Sequence, residues 1–198
     1  EIASCLVGSE MCIRDRLYDK GYRIIEEGLC GRTSVFDDAT RDGRNGAKVL
    51  PMLLETHTPL DHVVLMLGTN DCKIYNHASA ERIGKGIEKL IQQIKKHDPT
   101  IDILLVSPIE LGEDVWKPGF DPEFDQHSVK VSKQLKQTYL KIAWKYGCDF
   151  LAASDVAKPS KADMEHMNEE GHKNLAEAIE SFLVEKERNH SNDYVNVV

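Results

Sequence analysis

The stretch His62-Val63-Val64-Leu65-Met66-Leu67 constrains this chain more than any other, because it is uninterruptedly apolar after its first residue and ends at Gly68. A run of this kind is expected as a strand buried on both faces of a parallel sheet. It recurs. Ile101 to Val106 is a second apolar strand, Asp149-Phe150-Leu151 a short last one, and Tyr22-Arg23-Ile24-Ile25-Glu26 a β-prone run before Gly28. Helical spacing fills the intervals. Gly46 to His57 places Val49, Leu50, Leu53 and Leu54 on one face, with Pro51 expected in the first turn or at a kink. Ser79 is a cap for a helix carrying Ile83, Ile87, Leu90, Ile91 and Ile94. Ser128 to Tyr146 carries Val131, Leu135, Tyr139, Ile142 and Tyr146, and is followed by Gly147. Asn168 caps a last helix with Glu169 and Glu170 in its first turn. Strands alternating with helices predict a mostly parallel sheet covered by helices.

Composition narrows the function classes. The chain has 198 residues with 25 Lys and Arg against 33 Asp and Glu, a net charge of −8 that disfavours a nucleic-acid partner. No apolar run is of bilayer-spanning length, so no membrane partner is expected. Cys5, Cys12, Cys30, Cys72 and Cys148 are an odd set without a C-x-x-C pair, which points to a reducing, cytoplasmic setting and away from a zinc site. The organisation read from the sequence is an atypical stretch over 1–21, one domain over 22–186, and a tail over 187–198.

Ligands of open α/β sheets collect at the carboxyl ends of the strands, and three segments there carry candidate chemistry. Gly68-Thr69-Asn70-Asp71 follows the strand at 62–67, and Asn70 can aim a neutral N–H donor at an oxyanion. The same residues also make ordinary turns. Gly28-Leu29-Cys30-Gly31-Arg32-Thr33 offers close backbone approach, with the Gly31 N–H as a second donor or a simple turn. Asp163-Met164-Glu165-His166 sets a carboxylate three residues from an imidazole, so that Asp163 can fix the His166 tautomer. His172, one turn into the last helix, reads as structural. The long connection 107–127, with Trp116 and Phe120, either walls a pocket or is packed into the core.

The order of these blocks resembles the SGNH (GDSL-type) hydrolases, in particular their arylesterase and acyltransferase-like branch. Ile25-Glu26-Glu27-Gly28-Leu29-Cys30-Gly31-Arg32-Thr33 is similar to the second block, Gly68-Thr69-Asn70-Asp71 to the G-x-N-D block, and Asp163-Met164-Glu165-His166 to the D-x-x-H block. The resemblance spans about residues 22–184. It implies a flavodoxin-like three-layer α/β/α sandwich around a five-stranded parallel sheet. It also implies a serine esterase acting on short acyl or acetyl esters without metal or cofactor. In that scheme His166 is the general base, Asp163 orients it, Asn70 and the Gly31 amide form the oxyanion hole, and Arg32, Thr33 and Asp71 are scaffolding. Its partner is a small acyl ester; a homo-oligomer is compatible with the sequence.

The family's first block, G-D-S with the nucleophilic serine, does not occur. Gly8-Ser9-Glu10 after the apolar run 2–7 is the nearest candidate, with 12 residues, Glu10 to Gly21, before the next strand. A crossover with its helix needs at least about 10–12 residues, so Ser9 is at the shortest workable spacing. The expectation is that the first strand and nucleophile are absent or replaced and that the chain as written is impaired. Two alternatives stand beside the esterase. One is a non-catalytic α/β module binding a small ligand or partner. The other is a metal-dependent hydrolase, for which no clustered ligand spacing such as H-E-x-x-H is present.

Overall fold

The computed structural model describes residues 18 and 21–193, so Ser9 and the apolar run 2–7 lie outside the described residues. Three parallel strands form the described sheet in the order β1-β2-β3: β1 is His62–Leu65, β2 Asp102–Ser107 and β3 Asp149–Ala152. Four helices accompany them, α1 Gly46–His57, α2 Ala80–His97, α3 Gln126–Tyr146 and α4 Glu169–Asp193. Register runs Val63 to Ile103 to the next layer of pairing at Leu104 with Asp149, and ends with Ser107 beside Ala152.

The side chains of β2 show why this is a three-layer sandwich. Ile103 and Leu105 join the core formed with Leu54 of α1, Ile87 and Leu90 of α2 and Leu135 and Tyr139 of α3. Leu104 and Val106 point the other way, into a second core with Leu175, Ile179 and Leu183 of α4. The period of two along a strand thus divides one apolar run between two helical layers.

The helices begin and end for local reasons. Ser79 accepts from the Arg82 amide at the start of α2. Asp125 and Ser128 exchange bonds in a reciprocal cap at the start of α3, which Gly147 closes in the left-handed conformation at φ 62°. Asn168 receives the Gly171 amide at 2.9 Å ahead of α4. Pro51 lies inside α1 rather than in its first turn. Proline removes the amide that would bond the carbonyl four residues back. That carbonyl, of Ala47, is taken instead by the Gln93 side chain at 2.8 Å from α2.

Three expectations meet a different outcome. The strand expected over 62–67 ends at Leu65, and it is not buried on both faces, because Val64 is 41% exposed. Among the described residues the face that Val64 shares with Leu104 is covered by α4, which packs over β2 and leaves Val64 open. The run Tyr22–Glu26 is not a strand of the described sheet; Tyr22 and Ile24 pack instead against the α4-side core. The described sheet has three strands, and the apolar run 2–7 that would supply a further one of the five expected lies outside the described residues. No helix among the described residues is long and apolar enough to cross a membrane.

Candidate active site

Parallel strands bring their carboxyl ends to one edge; the Gly68-Thr69-Asn70-Asp71 segment follows β1 there, Asn70 bonds the Arg32 carbonyl of the second segment, and Gly112, on the connection after β2, bonds Met164 of the third. Gly68 follows β1 with φ 136°, and a Cβ there would collide with the Tyr139 hydroxyl, which donates to the Leu67 carbonyl at 2.7 Å. Only glycine allows the chain to leave the strand this close to α3. A short 3-10 turn, Asn70–Cys72, follows.

Asn70 and the Arg32–Ser34 segment are tied together. The Asn70 side-chain amide donates to the Arg32 carbonyl at 3.2 Å, while the Asn70 carbonyl accepts from Asn76 at 2.9 Å. Asp71 is wholly buried and accepts from the Ser34 amide at 3.0 Å and from the Ser34 hydroxyl. Burial pushes the Asp71 carboxyl up to about 6, against the Ser34 bonds that pull it down. Asp71 is thus a buried strut between two loops. Ser34, its partner, carried no signal in the sequence, because a serine after Arg-Thr is unremarkable until the fold buries it. Thr33 is buried too and bonds the Phe36 carbonyl at 2.6 Å.

Gly31 sits at φ 80° with the Arg41 guanidinium packed directly over it. Arg41 is held there by Asp38, at 2.7 Å. The sequence did not single out this cation beside the second candidate donor.

The acid–base block is built inside a small loop. Pro159 and Met167 form an antiparallel bridge, the Ser160 amide donates to the His166 carbonyl at 2.6 Å, and the Met164 amide donates back to Ser160 at 2.8 Å. Within that frame His166 Nδ1 lies 2.8 Å from Asp163 Oδ2. Asp163 Oδ1 accepts the amides of both Glu165 and His166 at 3.0 Å. Burial raises the Asp163 carboxyl, but the two amides and the His166 ring outweigh it and hold the group below its ordinary value. The Asp163 contact is made through Nδ1, which leaves Nε2 as the ring nitrogen available to another partner.

Two further groups complete the surroundings. Glu165, which sequence reading passed over, has a side chain only 11% exposed and places Oε1 3.7 Å from His166 Nε2. Burial and the nearby Asp121 and Asp163 raise its carboxyl above the ordinary value, while His166 and Lys73 act the other way. Lys73, buried to 6%, is committed to Glu123 and lies over the Phe124 ring. His172 is buried, and burial together with His166 holds its imidazole below the ordinary value despite a bond to the Met167 backbone.

The connection between β2 and α3 is packed rather than loose. Leu111, Val115 and Phe124 are buried in it, and Trp116 lies against the α2–α3 core while its indole N–H bonds the Glu113 carbonyl at 2.9 Å. Among the described residues no group of three or more His, Cys, Asp or Glu could hold a metal ion. Cys30, Cys72 and Cys148 are free thiols.

The described residues thus form a parallel α/β/α sandwich in which Asp163 holds the His166 ring through Nδ1. The chain matches the GDSL-like lipase/acylhydrolase family over residues 11–173 and belongs to it. It is similar to the solved carbohydrate acetylesterase Est24 from Sinorhizobium meliloti, with 34% identity and a TM-score of 0.80 over 88% of this chain and 83% of that one. It is also similar to the aryl esterase of M. smegmatis, with 31% identity and a TM-score of 0.80 over 91% of this chain and 88% of that one. No curated protein matches the chain. The fold and the ester-hydrolase class expected from the sequence are those of this family.

Proposed function

We propose that this chain is an esterase for short acyl esters, acetyl esters first, of small alcohols. His166 is the general base, Asp163 fixes its tautomer and stabilises the imidazolium, and Asn70 with the Gly31 amide receives the charge that develops on the carbonyl oxygen. The observation that carries the reading is the Asp163 to His166 Nδ1 contact at 2.8 Å, framed by two amides on the other carboxylate oxygen. The match to structures named as acetylesterase and aryl esterase supports the acyl class.

The nucleophile in this scheme is a serine ahead of residue 18, with Ser9 the candidate in this sequence. Ser9 stands in Gly8-Ser9-Glu10 rather than in a G-D-S block, so the turnover of this chain is expected to be impaired relative to an esterase that carries the full block. Its setting is cytoplasmic, in keeping with free thiols at Cys30, Cys72 and Cys148, and a homo-oligomer is compatible with the sequence. The test is turnover of p-nitrophenyl acetate together with labelling by a fluorophosphonate probe. Turnover lost in His166→Ala, with labelling lost in Ser9→Ala, is the expected result. Turnover indifferent to His166→Ala overturns the reading, and labelling indifferent to Ser9→Ala removes Ser9 as nucleophile. Light scattering of the purified chain decides self-association.

A further inference from the structure

Glu165 has no part in the scheme above, yet its carboxylate lies close to the Nε2 nitrogen of the base. Its Oε1 is 3.7 Å from His166 Nε2, beyond hydrogen-bond reach but at ion-pair distance, and its side chain is 11% exposed. In acyl transfer the nitrogen that takes the nucleophile's proton returns it to the departing alcohol. The scissile C–O bond breaks, the alkoxy oxygen keeps the electron pair, and Nε2 gives up its proton to that oxygen. The departing alcohol must therefore come within hydrogen-bond reach of Nε2, and in doing so it comes into contact with Glu165.

We propose that Glu165 is a specificity-determining residue of the alcohol side of the site, selecting neutral, hydroxyl-bearing alcohols and rejecting anionic ones. The inference rests on the esterase reading for its assignment of Nε2. The charges facing Glu165 sharpen it. Asp163 lies on the same turn and Asp121 on the β2–α3 connection, and both add negative charge around Glu165. Lys73, which faces Glu165 from the turn after β1, is buried and already paired with Glu123. His166 is the fourth titratable neighbour, and its carboxylate on Nδ1 is Asp163. The guanidinium of Arg41, by contrast, lies over Gly31, on the side assigned to the acyl oxygen. A carboxylate largely withdrawn from water acts on a nearby charge more strongly than one in bulk solvent. A hydroxyl can donate to it, whereas a second carboxylate cannot approach it cheaply.

Two esters separate this from general catalysis: 4-acetoxybenzoate and its methyl ester. They carry the same acetyl group and form the same acyl-enzyme, so the difference in kcat/KM between them reports the alcohol side alone. At pH 8 the methyl ester is expected to be favoured at least tenfold by the unaltered chain, and Glu165→Gln is expected to shrink that preference at least fivefold. A preference unchanged within twofold overturns the proposal. Glu165→Ala is the second variant and is read the same way should the first not fold by circular dichroism. If the unaltered chain hydrolyses neither ester, the esterase reading falls by itself. The alcohol site is then judged by NMR titration of the His166 ring with 4-hydroxybenzoate and methyl 4-hydroxybenzoate. A relative gain of at least fivefold in affinity for the anion on Glu165→Gln supports the proposal. An unchanged ratio, or no response of the ring to either alcohol, overturns it.

Discussion

The backbone amide of Gly112 donates to the carbonyl of Met164 at 2.7 Å, fastening the β2–α3 connection to the turn between Asp163 and His166. Met164 holds φ 63°, a left-handed conformation that a side-chain-bearing residue adopts at some cost. The connection therefore does more than link two elements. It supports the strained residue that sets the distance between the carboxylate and the imidazole.

Gly112→Val tests that support. A Cβ at residue 112 would stand 2.8 Å from the Met164 Cβ and 3.1 Å from its carbonyl oxygen, so the turn must shift. Overpacking of this kind costs about 1–3 kcal/mol. For a chain of this length the expected fall in Tm is roughly 2–4 °C per kcal/mol. Esterase turnover is expected to fall by more than the fraction of protein unfolded, since the Asp163–His166 geometry moves with Met164. A thermal melt and a turnover assay on the same sample check it; loss of stability with specific activity intact contradicts the link.

Asp71 gives a pH dependence with a defined sign. Its carboxyl is raised by burial from 3.8 to about 6, so between those pH values the folded chain holds a proton that the unfolded chain has lost. Stability from this group is present below the unfolded value and is lost as pH rises through the folded one. At 1.36 kcal/mol per unit the change amounts to roughly 3 kcal/mol. Asp71→Asn removes the titration, so the stability of the unaltered chain relative to the variant is expected to decline from pH 4 to pH 6.5 and then level. Urea denaturation at four pH values measures the difference; a constant difference refutes it.

Asp163→Asn separates catalysis from stability. Asp163 is 45% exposed, so its pairing with His166 contributes little to folding, under about 1 kcal/mol. Its loss leaves the imidazole in the wrong tautomer, for which a decrease in kcat of up to about 10⁴ is expected. Steady-state kinetics beside a thermal melt decide the matter. A variant that loses stability and keeps its rate assigns Asp163 to scaffolding.

Asn70→Ala removes a donor that bonds the Arg32 carbonyl in the present structure. As an oxyanion donor it is expected to contribute about 10²–10³ in kcat, with KM nearly unchanged. The outcome that assigns Asn70 to the turn alone is a proportional loss of folding stability with kcat preserved.

What the sequence determined by itself is the part governed by short-range pattern. The apolar period of β2, the stripe of α2 and the caps at Ser79 and Asn168 fix their elements locally, and α1 was legible from end to end. The spacing of Asp163 and His166 likewise allowed a contact that a single turn closes. What only the tertiary structure decided are pairings across long separations. Asp71 with Ser34, Ala47 with Gln93 and Gly112 with Met164 join residues that no local pattern connects. Val64 makes the same point about burial. Its sequence context is that of a strand covered on both faces, but exposure depends on which helix lies over it, and α4 packs over β2 instead. Glu165 was invisible for a related reason, since a carboxylate between Asp163 and His166 acquires meaning only once the turn folds it back onto Nε2.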